Sequence, residues 1–153
     1  MRSVLFVVFV IVLLLFGTTC SPKPAFKPVA SVKQLMAATI LPAAEVLFDA
    51  VGTIISSSGV EEIAPKNDEE WATVRNNALT LAESGNLLMI GDRARDKGEW
   101  IKLSQALVDV GMVALRAAES KNPEALFEAG GKVYEVCQQC HERYWKESGR
   151  DKN

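Results

Sequence analysis

Val136-Cys137-Gln138-Gln139-Cys140-His141-Glu142-Arg143-Tyr144 lies close to the C-terminus of a 153-residue chain. Cys-x-x-Cys-His is the attachment signature of c-type haem: each thiol adds across a haem vinyl group, and the histidine that follows offers the iron an imidazole nitrogen. On a helix, Cys140 and His141 fall three and four residues beyond Cys137, so the three side chains share one face. Two other chemistries use similar residues. A redox dithiol sits at a helix N-terminus after a strand, where the helix dipole lowers a thiol pKa; here the upstream residues read as helix for several turns. A structural zinc site needs four ligands, and the chain has neither a second cysteine pair nor a second histidine.

Of the three cysteines, Cys137 and Cys140 belong to the motif and Cys20 ends an apolar leader, so none is left for a disulfide. The leader consists of Met1-Arg2-Ser3, an apolar run from Val4 to Phe16, and the small residues Gly17-Thr18-Thr19. Such a short charged start and an apolar stretch of about a dozen residues describe a secretory signal over 1–19, not a membrane span of about twenty. The domain is therefore expected outside the cytoplasm, in the periplasm, where haem is attached to such motifs. Cys20 directly after the cut resembles a lipoprotein signal, although Gly17 and Thr19 depart from its usual residues. Membrane attachment through a lipidated Cys20 and simple cleavage after Thr19 both remain open.

Residues 20–30 carry Pro22, Pro24 and Pro28 and are expected to form an extended tether. Loss of Arg2 with the leader takes the formal net charge from −2 to −3, and no basic patch points to nucleic acid. With 48% hydrophobic residues including the leader, the mature part has the composition of one ordinary globular domain over 31–147, followed by a polar tail over 148–153.

Four segments within that domain space apolar or small residues alternately by three and four, the seam of a helix bundle. The seams read Met36, Ile40, Ala43, Leu47, Ala50, Ile54 over 31–57, and Trp71, Val74, Ala78, Leu81, Gly85, Leu88 over 68–90. They continue as Trp100, Leu103, Leu107, Val110, Ala114, Ala117 over 96–120, and Leu126, Gly130, Val133, Cys137, Cys140, Tyr144 over 123–146. Asn67 with Glu70 resembles a capping box, and Asn122-Pro123 supplies an N-cap with proline in the first helical position. Pro42 is expected to kink the first helix without breaking it. The mid-helix pair Gly130-Gly131 suggests a close helix contact or room for a haem edge. The links 58–67, 91–95 and 121–122 are too short to cross the length of a bundle, which predicts an all-α, antiparallel up-down-up-down four-helix bundle.

In that topology the start of helices one and three and the end of helix two lie level with His141. Met36 is then the leading candidate for the second haem face, with Met89 as rival. Trp100 is expected to wall the haem, Tyr144 to pack on it and Trp71 to fill the far end of the core, while Lys33 and Arg143 read first as solvated charges and second as candidate partners for the propionates.

Cys137-x-x-Cys140-His141-x-x-Tyr144 at the end of a fourth bundle helix resembles the class II c-type cytochromes, cytochrome c prime and its low-spin relatives. The likeness covers 31–146. It implies an antiparallel four-helix bundle with one covalent haem c, His141 as proximal iron ligand, and a residue near the start of helix one at the opposite face. A methionine there, as Met36 would be, goes with a six-coordinate carrier of single electrons; an apolar residue goes with a five-coordinate haem that binds NO or CO. Trp145 stands where the family commonly has a basic residue after the tyrosine. The expected function is one-electron transfer to a redox partner protein, with gas binding or sensing as the alternative. No enzymatic acid or base accompanies the motif, and a homodimer is left open.

Overall fold

The computed structural model describes residues 26–148, so the leader, Cys20 and most of the tether lie outside the described residues. Among those residues the chain is predominantly helical, with one small two-stranded sheet. The first helical rod has three parts: α1 (Val32–Leu35), a π-helical turn (Met36–Ile40) and α2 (Leu41–Asp49). Ser31 begins it with a complete capping box, its hydroxyl accepting from the Gln34 N–H at 3.2 Å while its own N–H donates to the Gln34 side chain at 2.9 Å. The expected kink at Pro42 takes the form of that π turn. Proline has no N–H for the carbonyl four residues back and its ring crowds that carbonyl. The chain widens by one residue ahead of it, and the Leu41 N–H reaches back to the Met36 carbonyl.

The first helix ends at Asp49, eight residues before the predicted end at 57. Strands β1 (Gly52–Ser56) and β2 (Gly59–Ile63) form an antiparallel hairpin that pairs Gly52 with Ile63 and Ser56 with Gly59. Gly52 follows the helix end, Thr53-Ile54-Ile55 is a β-branched run, and Ser57-Ser58-Gly59 supplies the turn with Gly59 at φ +140°. Ile54 matched the helical period by coincidence; it sits in β1 and is exposed. Its predicted place on the bundle seam is therefore wrong.

Helices α3 (Asp68–Leu88), α4 (Glu99–Glu119) and α5 (Pro123–Ser148) follow. Asn67 caps α3 by accepting from the Glu70 N–H at 2.9 Å, and three acidic residues in its first turn face the positive end of the helix dipole. Asn122 caps α5 by accepting from the Ala125 N–H at 3.0 Å. Every predicted seam residue of α3 is buried, and so are those of α4 except the half-buried Val110. The core centres on Leu47, Leu81, Leu126 and Val133.

The most extensive packing joins α3 to α4, then α4 to α5, and α2 lies against both α3 and α5. Gly85 and Gly111 make the first of these contacts possible. A methyl group at Gly85 would sit 2.6 Å from the Ser104 carbonyl oxygen, and one at Gly111 2.8 Å from the Ala82 backbone. Gly130 and Gly131 mark no such approach: a methyl at Gly130 would meet Phe48 at an ordinary 3.8 Å, and one at Gly131 would meet nothing within 4 Å.

Candidate haem-attachment site

The motif lies inside a regular stretch of α5, so Cys137, Cys140 and His141 share one face by the helical repeat alone. Burial changes along that face. Leu126, Gly130 and Val133 are buried, whereas Cys137, Cys140 and Tyr144 on the same seam are half-buried, as is His141. The inward face of α5 thus turns from core into partly open surface where its side chains become thiols and an imidazole.

Four side-chain bonds gather other chain segments at that end. Arg93, in the link after α3, donates from Nε to the Ala30 carbonyl at 2.9 Å and from Nη1 to the Leu87 carbonyl at 3.1 Å, tying the entry to α1 to the end of α3. Trp100 Nε1 donates to the Leu88 carbonyl at 2.8 Å, tying the start of α4 to the same place. The Tyr144 hydroxyl donates to the Asp96 carboxylate, which brings in the last turns of α5. At the other end of α3 and α4, Lys121 Nζ pairs with Asp68 at 2.7 Å.

Asp96 was invisible in the sequence as part of the site. Its other carboxylate oxygen accepts from the N–H groups of Gly98 at 2.8 Å and Trp100 at 3.1 Å, so it stands in for an N-cap side chain ahead of α4, whose helix starts at Glu99 instead of residue 96. The Tyr144 hydroxyl and these two amides hold its carboxyl below the usual carboxylate range. Desolvation and then the Asp96 bond push the Tyr144 phenol up to about 12. The signal that could have revealed this is an aspartate two residues before a glycine-initiated helix, but its tyrosine partner lies 48 residues away.

The remaining predicted residues fall as follows. Trp100 is 3% exposed, with its ring edge-on to Tyr144 at 4.9 Å between centroids. It therefore backs Tyr144 and belongs to the core. Trp71 is buried in the first turn of α3. Met36 is half-buried at the first position of the π turn, packed against the same core cluster that Cys137 and Tyr144 pack against. Met89 closes the end of α3 with its N–H on the Asn86 carbonyl. Lys33 is exposed, and Arg143 lies near enough to Asp96 and Tyr144 for its charge to add to the fall at Asp96 and oppose the rise at Tyr144. His141 meets Trp145 edge-on, 5.0 Å between ring centroids.

The donor set suits c-type haem and fits the two competing chemistries poorly. Burial raises the Cys137 thiol, and burial with Cys137 alongside pushes Cys140 up to about 11, the opposite of the lowered pKa a redox dithiol needs. Among the described residues, no group of three or more His, Cys, Asp and Glu side chains is arranged to hold a metal ion, so a closed zinc shell has no basis there. Two unbonded thiols and one imidazole on a half-buried face match two thioether anchors and one axial ligand.

Compared with known proteins, the chain matches no family model, no curated protein and no solved structure.

Proposed function

We propose that this chain is an exported c-type cytochrome of the class II kind, an antiparallel up-down-up-down four-helix bundle that carries one electron at a single covalent haem. The observation that carries this reading is the placement of two thiols and the sole histidine on one face of α5, where its seam passes from buried to half-buried. The contacts that gather the entry to α1, the end of α3, the start of α4 and the end of α5 support the antiparallel arrangement.

Cys137 and Cys140 would hold the macrocycle through thioether bonds, and His141 would ligate the iron from the same helix face. Bound there, the haem supplies a reversible one-electron couple. Met36 is the proposed second axial ligand. Its support is its level in the first rod, its half-burial against the cluster that Cys137 joins, and the π turn that begins at it, a distortion that recurs at functional sites. A thioether ligand raises the potential of a haem, which suits an electron carrier. Tyr144 and Asp96 fix the last turns of α5 against α4 and so restrain the helix that bears His141.

Protein matured with the periplasmic haem machinery should keep its haem through acid-acetone extraction and give the pyridine haemochrome of a c-type haem. C137A/C140A should lose covalent attachment. Haem extracted intact from correctly matured wild type would remove the basis of the assignment.

A further inference from the structure

The flank of α5, where its half-buried seam gives way to solvent, carries two rows in step with each other. Phe127, Tyr134 and His141 recur every seven residues, two helical turns apart, and Trp145 continues that row one turn on. Phe127 is 64% exposed, Tyr134 60% and Trp145 67%. About a hundred degrees further round the helix run Glu128, Glu135 and Glu142, all exposed and at the same spacing, with exposed Lys132 one turn from the first two. Gly131 lies between the first two aromatics, where even a methyl group would meet nothing within 4 Å. One exposed aromatic is ordinary, but several aligned along one helix flank and rimmed by charge are the makings of an interaction surface. The row passes through the proposed iron ligand itself, His141, which its last member, Trp145, meets edge-on.

Taken together, these observations lead us to propose that the exposed face of α5 is the docking surface for a redox partner protein with a lysine-rich rim around an apolar centre. The aromatic row meets that centre and the glutamate row meets the rim. The proposal rests on the haem reading of His141 and names the kind of partner that site serves. From Phe127 to Trp145 the strip is about 27 Å long. That is the scale of the small, transient interfaces used in electron exchange, which need fast arrival and fast release. Charge selects the partner. A second copy packed antiparallel on this face would bring its glutamate row against an identical one, and an anionic membrane surface would repel it. The formal net charge of the chain, −2 as a whole and −3 without the leader, has the same sign as the glutamates and adds to the attraction of a basic partner.

The test uses the haem-loaded protein and a lysine-rich mitochondrial-type cytochrome c as the probe. Stopped-flow electron exchange between the two should be fast at low salt and fall about tenfold or more on approaching physiological ionic strength. E128Q/E135Q should slow exchange about tenfold at low salt and flatten its salt dependence, with reduction by a neutral small molecule unchanged. F127S/Y134S should weaken the complex at every salt concentration. A glutamine variant that exchanges as fast as wild type with the same salt slope overturns the docking surface. So does a wild-type dimer in sedimentation that F127S/Y134S converts to monomer. The haem reading fails separately, by absence of a c-type haemochrome in the same samples. In that event amide line broadening by the probe still decides the surface: broadening confined to the exposed face of α5 sustains it, and none refutes it.

Discussion

Met36 and the Tyr144–Asp96 bond are each open to test by a single substitution. If Met36 binds iron, the matured ferric protein should be low-spin, with a sulfur-to-iron charge-transfer band in the far red and slow uptake of CO. Met36→Ala should abolish the band, make the haem high-spin or water-ligated, lower the reduction potential and admit gases. A wild type that is already high-spin and binds CO at once moves the function to gas binding; loss of the band in Met89→Ala instead moves the ligand. The Tyr144 hydroxyl on Asp96 makes a separate prediction. Tyr144 has its phenol pKa raised to about 12 in the fold, so its contribution is fully present below the ordinary tyrosine value near 10 and is lost as pH rises from there to about 12. Asp96 is lowered, so its contribution is present above the ordinary aspartate range and is lost as pH falls below it. Urea titrations of Tyr144→Phe should show a flatter alkaline limb than wild type in the same haem state, and Asp96→Asn a flatter acid limb. Parallel curves for wild type and variant would mean that the bond does not form in solution.

At the level of helices, the tightest constraint is the α3 to α4 crossing. The obstacles at Gly85 and Gly111 include backbone atoms of the facing helix, which cannot rotate aside as a side chain would. Gly111→Ala should therefore destabilise by about 1–3 kcal/mol through overpacking, measured as a fall in the urea midpoint at constant m. Gly131→Ala should act in the opposite direction, raising stability by about 0.5–1 kcal/mol, because the site is open and alanine is the better helix former. The helices themselves were legible because amphipathic spacing, Asn67, Asn122-Pro123 and Ser31 are local signals. The hairpin was also written locally, in Gly52, Thr53-Ile54-Ile55 and Ser57-Ser58-Gly59, but a periodic match at Ala50 and Ile54 outweighed it. Two seam positions carry less information than a β-branched run followed by a turn. Gly111 left no trace of its role, since a close crossing depends on what faces it.

For the molecule as a whole, where it resides and how its parts converge are separate questions. If Cys20 is acylated, mature protein should partition into detergent and sediment with membranes, and Cys20→Ser should release it or block processing; soluble protein beginning with an unmodified Cys20 would refute lipidation alone. A fully extended tether of residues 20–30 reaches about 30 Å, and its end is held by Arg93 through the Ala30 carbonyl. Anchored protein would therefore stand with its proposed haem end near the membrane. The sequence by itself determined the helical character of the chain, most of its buried seams and the placing of two thiols and an imidazole on one helix face, because each follows from residues within one or two turns of one another. Only the tertiary structure decided that Asp96 clasps Tyr144, that Arg93 ties the entry of the first rod to the end of α3, and that Gly85 and Gly111 mark the close crossing while Gly130 and Gly131 do not. Those contacts join residues far apart in the chain, and a single sequence holds no record of which distant atoms will lie within hydrogen-bonding or van der Waals reach.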